Sequence, residues 1–359
     1  MKPAKRTSKW FYYIPVLLLL ALGISGVLGW LWWNQESAPP VAASESTAAS
    51  NEPVLVQIAP GTASQQIGRQ LEAAGLIRSY RAWRLWSSWL SRRDGEGNFK
   101  SGSYRLSPTQ PLPAIAEQIW KGQVVQLDFT IPEGWSLRQM ATYFEEQGFF
   151  KAEDFLAATR QIPKDKFPWL PDNLPHLEGF LYPDTYKLAS DGITPQVVID
   201  QMLKQFEQVA LPLYNEAQNR TKFNLLEWVT LASIVEKEAV VTQESGRIAG
   251  VFVSRLEKGM TLGSDPTVEY ALGIRQTADQ PLTYAQVKVS SPYNTYVNPG
   301  LPPGPIASPG AGALRAVLYP ENTEYLYFVA RYDGTHVFSR SLAEHESAIR
   351  TIRRQRQAQ

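Results

Sequence analysis

Val56-Gln-Ile-Ala-Pro-Gly61, running on to Ala74-Gly75-Leu76-Ile77, returns later as Phe129-Thr-Ile-Pro-Glu-Gly134, running on to Gln147-Gly148-Phe149-Phe150 with the same spacing. Each copy reads as a short strand, a Pro/Gly turn, a helix with Ser64 or Ser136 as N-cap, and a glycine at the helix end. Between the copies lie a Trp-rich amphipathic helix (Trp83, Trp86, Leu90), a strand Ser103 to Leu106, and a helix Leu112 to Trp120 closed by Gly122. Further on, apolar periodicity predicts helices over Ser136 to Gln147, Pro195 to Val209, Leu225 to Val241, Arg247 to Lys258 and Ser341 to Arg354, with strands at Tyr325 to Arg331 and His336 to Phe338. Strands and helices that do not alternate regularly make the class α+β.

On the N-terminal side the chain carries no charge from Trp10 to Trp33. At about 1.5 Å per residue that run is long enough to cross a hydrocarbon core of about 30 Å. Aromatic residues cluster at both ends, and Lys2, Lys5, Arg6 and Lys9 precede it, so a single transmembrane helix with a cytoplasmic N-terminus is expected. A cleaved signal peptide is the rival reading, with Ser37-Ala38 and Ala42-Ala43 as weak cleavage candidates. Residues 34–53 are rich in Ser, Ala and Pro and read as a flexible linker, or tether.

The 359 residues hold 35 Lys+Arg against 34 Asp+Glu, no Cys and three His. A balanced charge argues against nucleic acid as partner. The absence of thiols, together with the wide separation of His176, His336 and His345, leaves no metal or cofactor site implied. Chemistry must come from carboxylates, hydroxyls and amides. The eleven Trp, sixteen Tyr and fourteen Phe suit either a core or sugar-covering surfaces, and both readings stay open for the Trp stripe.

The helix Leu225 to Val241 carries one acid in the wrong place. At about 100° per residue Leu225, Val229, Ala232, Glu236, Ala239 and Val240 share a face, so Glu236 sits in an apolar stripe. Leu231 and Ile234 fall on the other side, which points to a helix buried on more than one side. A carboxylate so placed is paired, with Arg247 or Arg255 as partners, or it holds a proton near neutral pH as a general acid does. Glu238 points about 200° away and cannot share its site. Other marked segments are Leu177 to Tyr186, Ser264-Asp265-Pro266-Thr267, where Asp265 has the form of a helix cap, and the long Pro/Gly-rich loop Ser290 to Pro309.

Ile-Pro-Glu-Gly at 131–134, Leu-Glu-Gly-Phe-Leu-Tyr-Pro-Asp-Thr-Tyr at 177–186, Ala-Ser-Ile-Val-Glu-Lys-Glu at 232–238, Gly259 to Val268, Ser-Pro-Tyr-Asn-Thr-Tyr at 291–296 and Gly-Leu-Pro-Pro-Gly-Pro-Ile at 300–306 together resemble the YceG-like family of endolytic murein transglycosylases. That resemblance implies a bacterial inner-membrane enzyme, anchored by Trp10 to Trp33, that cuts nascent peptidoglycan strands internally and leaves a 1,6-anhydro-N-acetylmuramic acid end. It implies Glu236 as the catalytic residue and no cofactor. It also implies a LysM-like subdomain at 54–126 that holds glycan, with Phe99 to Tyr104 matching its Lys-x-Gly-x-Tyr turn, and a catalytic domain at 127–359. Residues 1–9 would be cytoplasmic, and peptidoglycan synthases are candidate partners.

One carboxyl suffices for such chemistry. Glu236 would protonate the glycosidic oxygen between N-acetylmuramic acid and N-acetylglucosamine, then take the proton from the sugar's own 6-hydroxyl as that oxygen closes on C1. Tyr182, Asp265, Tyr293, Asn294 and Tyr296 are expected to line the cleft, against the plain reading that they fix loops. Two alternatives stand beside this one. A water-using muramidase would need Asp265 or Glu178 as partner acid, and a non-catalytic scaffold would only bind peptidoglycan.

Overall fold

The computed structural model describes residues 10–41, 52–95, 98–189, 193–277, 280–331 and 333–357. The basic residues Lys2, Lys5, Arg6 and Lys9, and the stretch 42–51 of the expected linker, lie outside the described residues. The chain divides into two compact units, Met1–Leu127 with Lys187–Gly192, and Asp128–Tyr186 with Ile193–Gln359.

The first unit contains α1 (Trp10–Glu36), β1 (Val54–Ile58), α2 (Ser64–Ala73), α3 (Tyr80–Arg93), β2 (Gly102–Leu106) and α4 (Leu112–Lys121). From Val16 to Glu36, α1 is long and apolar enough to cross a membrane, and none of that window is buried in the protein. β1 and β2 pair antiparallel with Val56 opposite Tyr104, and Ile58, Ile67, Leu71, Trp83, Leu90, Tyr104, Ile115 and Ile119 close a core between sheet and helices. Gly68 makes this packing possible, because a Cβ there would overlap the Trp83 indole. The Trp83 Nε1 donates to Ser64 O at 2.8 Å. Trp83 is therefore core, while Trp89 is exposed. Two expectations change. The α2 cap is Ala63, not Ser64, which is already the first helical residue and whose hydroxyl is buried without a partner. Residues 34–36 continue α1, and Ser37 to Val41 are bonded to the unit by Leu112 N to Ser37 O at 3.0 Å and Val41 N to Pro108 O at 3.2 Å.

β3 (Gln126–Thr130) leads to α5 (Leu137–Glu146), α6 (Ala152–Ala158) and β4 (Thr185–Ala189), which pairs with β3. Here the predicted cap holds: Ser136 and Gln139 form a reciprocal capping box at the start of α5. There follow α7 (Pro195–Ala217), α8 (Leu225–Glu238), α9 (Ser245–Glu257), α10 (Asp265–Leu272), α11 (Tyr284–Val287), α12 (Ala311–Leu318), β5 (Tyr327–Ala330), β6 (His336–Ser339) and α13 (Leu342–Gln357). α7 outruns its predicted end at Val209 and continues through Pro212. Pro212 and Gln208, whose carbonyl it leaves unbonded, both lie on the exposed face, whereas Tyr214 and Ala217 beyond them are buried.

α8 is the centre of the second unit. Trp228, Val229, Leu231, Ala232, Ile234 and Val235 are all fully buried, so the helix is enclosed on several sides. Asn224 starts it with a capping box to Glu227, the Trp228 Nε1 donates to Leu314 O of α12 at 2.9 Å, and Ser233 Oγ accepts from Ile306 N at 3.0 Å. It stops at Glu238 because Ala239 turns extended, φ −82° and ψ 109°. Val240, placed on the apolar face by a longer helix, is accordingly exposed.

Candidate active site

The last turn of α8 brings Glu236 against two other segments. The first is the Ile131 to Gly134 turn, fixed by Gly134 N to Ser308 O at 2.8 Å and Ser308 N to Trp135 O at 2.9 Å. Gly134 has φ +74°, and a Cβ there would stand 3.5 Å from Glu236 Cγ. The second is the start of α12, where Gly310 N donates to Glu236 Oε2 at 3.0 Å. The Glu133 carboxylate lies directly on the Cα of Gly310, at a place a Cβ would occupy. Two acids from distant parts of the chain thus share one glycine. The Lys237 ammonium donates to Gly134 O at 3.3 Å.

Burial raises the pKa of Glu236 above the ordinary carboxyl value. The Gly310 N–H opposes that rise, the negative charge of Glu133 adds to it, and Lys237 opposes it. The net direction is upward, so the side chain holds its proton to higher pH than a free glutamate. Its Oε1 accepts no hydrogen bond among the described residues, yet it is not one of the sealed, partnerless atoms such as Ser308 Oγ; it faces solvent. Neither expected salt-bridge partner reaches it. Arg247 pairs with Glu321 at 3.0 Å, and Arg255 is spent on the carbonyls of Thr261, Leu262 and Leu326.

Of the other predicted residues, Tyr182 is the one that joins Glu236. Burial raises its phenol pKa, the charges of Glu133, Asp184 and Glu236 act in the same direction, and the Ala311 N–H faces its hydroxyl and opposes them. Asn294 is fully buried and ties its own loop, its Nδ2 donating to Val287 O at 2.9 Å and Val289 O at 2.8 Å. Asp265 is the first residue of α10 and not its cap; the N-cap is Ser264. Its carboxylate accepts from Tyr296 Oη at 2.6 Å and Gln276 Nε2 at 3.1 Å. Asp265 and Tyr296 line a cavity of about 820 Å³ whose wall also includes Lys237, Glu269, Arg275 and Tyr327. The Tyr293 ring packs tilted against Tyr270, with centroids 4.9 Å apart.

Glu178 does not stand beside Glu236. It is fully buried, accepts from Leu137 N at 2.9 Å and Tyr270 Oη at 3.1 Å, and burial pushes its pKa up to about 7. Glu238 is half-buried and lines the same cavity as Asp265 and Tyr296; it is held by Ser264 Oγ at 2.6 Å, and burial pushes its pKa up to about 7. The acid that does act on Glu236 is Glu133, which no periodicity singles out. Its signal in the sequence was the Ile-Pro-Glu-Gly turn itself.

The family model described as the YceG-like family matches residues 56–351. A Bacillus subtilis protein named endolytic murein transglycosylase is 31% identical over 316 residues, covering 83% of this chain and 84% of that protein. A Streptococcus pneumoniae protein of the same name is 31% identical over 94% of this chain, which spans 64% of that longer relative. The crystal structure of a yceG-like protein from Listeria monocytogenes, 34% identical, covers 83% of this chain and all of its own with a TM-score of 0.56. With the match running through both units, this chain belongs to the YceG-like family.

Proposed function

We propose that this chain is an endolytic murein transglycosylase with Glu236 as its single acid and base. The observation that carries the reading is the state of that side chain: proton affinity raised by burial, Oε2 held by Gly310 N, Oε1 open. A carboxyl so held can protonate the oxygen between N-acetylmuramic acid and N-acetylglucosamine, then accept the 6-hydroxyl proton as the ring closes to the 1,6-anhydro product. Tethering the nucleophile to the substrate replaces an external water by an effective molarity. Tyr182 supplies an oxygen beside the developing charge, and the cavity with Asp265 and Tyr296 supplies room for neighbouring sugars. Tyr293 and Asn294 then act by holding the wall of the cleft.

In this reading α1 spans the bacterial inner membrane with its N-terminus in the cytoplasm. The LysM-like region 54–126 grips glycan, the region 127–359 cuts it, and the enzyme works beside the synthases that extend the strands. Glu236→Gln tests it: the variant keeps the fold and binds glycan strands but loses cleavage by about 10²–10⁴-fold. Undiminished cleavage would refute the assignment. A water-using muramidase has one observation in its favour, the Glu133 carboxylate beside Glu236. It predicts that Glu133→Gln is as inactive as Glu236→Gln, whereas the transglycosylase reading predicts a modest loss.

A further inference from the structure

α3 presents two faces. Ala82, Trp83, Ser87 and Leu90 are buried in the first unit, while Arg81, Arg84, Leu85, Ser88, Trp89 and Arg92 are exposed and fall on one stripe at helical spacing. The helix contains no Asp, Glu, Asn or Gln. Arg81, Arg84 and Arg92 form no ion pair among the described residues, and the outward face carries a Leu and a Trp that are 54% and 43% exposed. Uncompensated arginines interleaved with large apolar side chains are the composition of a helix lying in a membrane interface.

The position of this helix relative to α1 is fixed by aromatic stacking. Trp33, at the end of the apolar run, stacks on Trp86 at 5.5 Å, and Trp86 stacks on Trp89 at 4.5 Å. No slack intervenes, because Ser37 O accepts from Leu112 N at 3.0 Å and Pro39 O accepts from Arg78 Nε at 2.8 Å. When α1 spans a bilayer, Trp33 lies in the headgroup belt, a layer about 5–7 Å deep per leaflet. One ring-to-ring step of 5.5 Å, within that depth, already reaches Trp86 of α3 and puts the helix beside the headgroups.

We infer that the outward face of α3 docks on anionic phospholipid headgroups beside α1, with Arg81, Arg84 and Arg92 on the phosphates and Leu85 and Trp89 in the interface. The anchor therefore holds the first unit flat on the membrane surface and not on a leash. The inference rests on the reading of α1 as a membrane span. A sugar platform on Trp89 is the competing use of the same face. It is less well matched, since the face itself carries cations and apolar side chains, and the carboxylates nearest the ring, Asp94 and Glu117, are already bonded to Arg93, whose guanidinium lies over Trp89 at 4.8 Å.

The chain has no Cys, so a single introduced thiol reports one place. Leu85→Cys and, as a reference in the other unit, Val197→Cys, exposed on α7, are labelled with a polarity-sensitive fluorophore in the full chain. Each is reconstituted into phosphatidylcholine vesicles with and without phosphatidylglycerol. The expected result is a blue-shifted emission at position 85, quenched by headgroup spin labels, in phosphatidylglycerol vesicles only, with a water-like emission at 197 in both. Adding R81E, R84E and R92E together abolishes the blue shift. Water-like emission at 85 in chain that resists carbonate extraction overturns the inference and leaves the span intact. Loss of peptidoglycan pelleting by Trp89→Ala in that case assigns the face to glycan. Extraction of the chain by carbonate refutes the span and the inference with it.

Discussion

Glu236 and Glu238 stand two residues apart on α8, and burial raises the proton affinity of both, yet their oxygens are bonded differently. Glu238 is half-buried and lines the cavity beside Asp265, but its Oε1 is taken by the Ser264 hydroxyl and it is crowded by Asp265 and Glu269. Glu236 is half-buried, with one oxygen on a backbone N–H and the other in solvent. Glu178 is the sealed case, with its oxygens given to Leu137 N and Tyr270. A raised pKa alone therefore does not mark a general acid. In the proposed reading the mark is an oxygen that no donor among the described residues holds, as at Glu236, together with a neighbour such as Glu133 that keeps the proton on.

The sharpest break in that comparison is by paired substitution. Glu236→Gln is expected to lower the cleavage rate about 10²–10⁴-fold with little change in melting temperature. Glu238→Gln, which keeps the Ser264 contact through its amide oxygen, stays within about tenfold of wild type. Turnover on uncrosslinked glycan strands beside thermal melts reads both, and equal losses would erase the distinction. Next in size is Gly310→Ala. Its φ of −81° suits alanine, so the added methyl displaces the flexible Glu133 carboxylate and leaves the N–H to Glu236 in place. The expected result is a folded enzyme slowed by about ten- to a hundredfold through a disturbed site.

Glu178 and Glu238 show themselves in stability. Their folded pKa of about 7 exceeds the ordinary 4.5, so between pH 4.5 and 7 the folded state binds more protons than the unfolded chain. Stability then falls as pH rises through that window, by about 3 kcal/mol for each group at an order-of-magnitude level. Denaturant unfolding at pH 5 and pH 8 should show the drop, and Glu178→Gln or Glu238→Gln should each flatten it. The smallest effect is expected for Glu133→Gln. Removing its charge lowers the Glu236 pKa, so the alkaline limb of the rate profile moves to lower pH; an unchanged limb would remove Glu133 from the site.

Much of this was legible beforehand, and the misses have physical causes. Period and motif isolated Glu236, and Ser136 capped α5 as its pattern with Gln139 required. The wheel could not know that Ala239 leaves the helix, so Val240 was counted on a face it never joins. Pro212 is tolerated on the exposed face of α7, where Gln208, whose carbonyl it frees, is exposed as well. Ser64 lost its capping role to Ala63, since a side chain with cap chemistry still needs the register of the turn before it. Glu133 escaped because its charge reaches Glu236 only once segments far apart in the chain meet at Gly310, where the absence of a side chain makes room for its carboxylate. Tyr293 and Asn294 sit in an irregular loop whose bonding no pattern encodes; the fold uses Asn294 as a brace.

The most direct test of one acid working without water is digestion of glycan strands by the full chain in ¹⁸O-labelled water, with products read by mass spectrometry. The account predicts 1,6-anhydro ends, one water lighter than reducing ends and free of label. Reducing ends carrying ¹⁸O would contradict it and make Glu236 half of a hydrolytic pair.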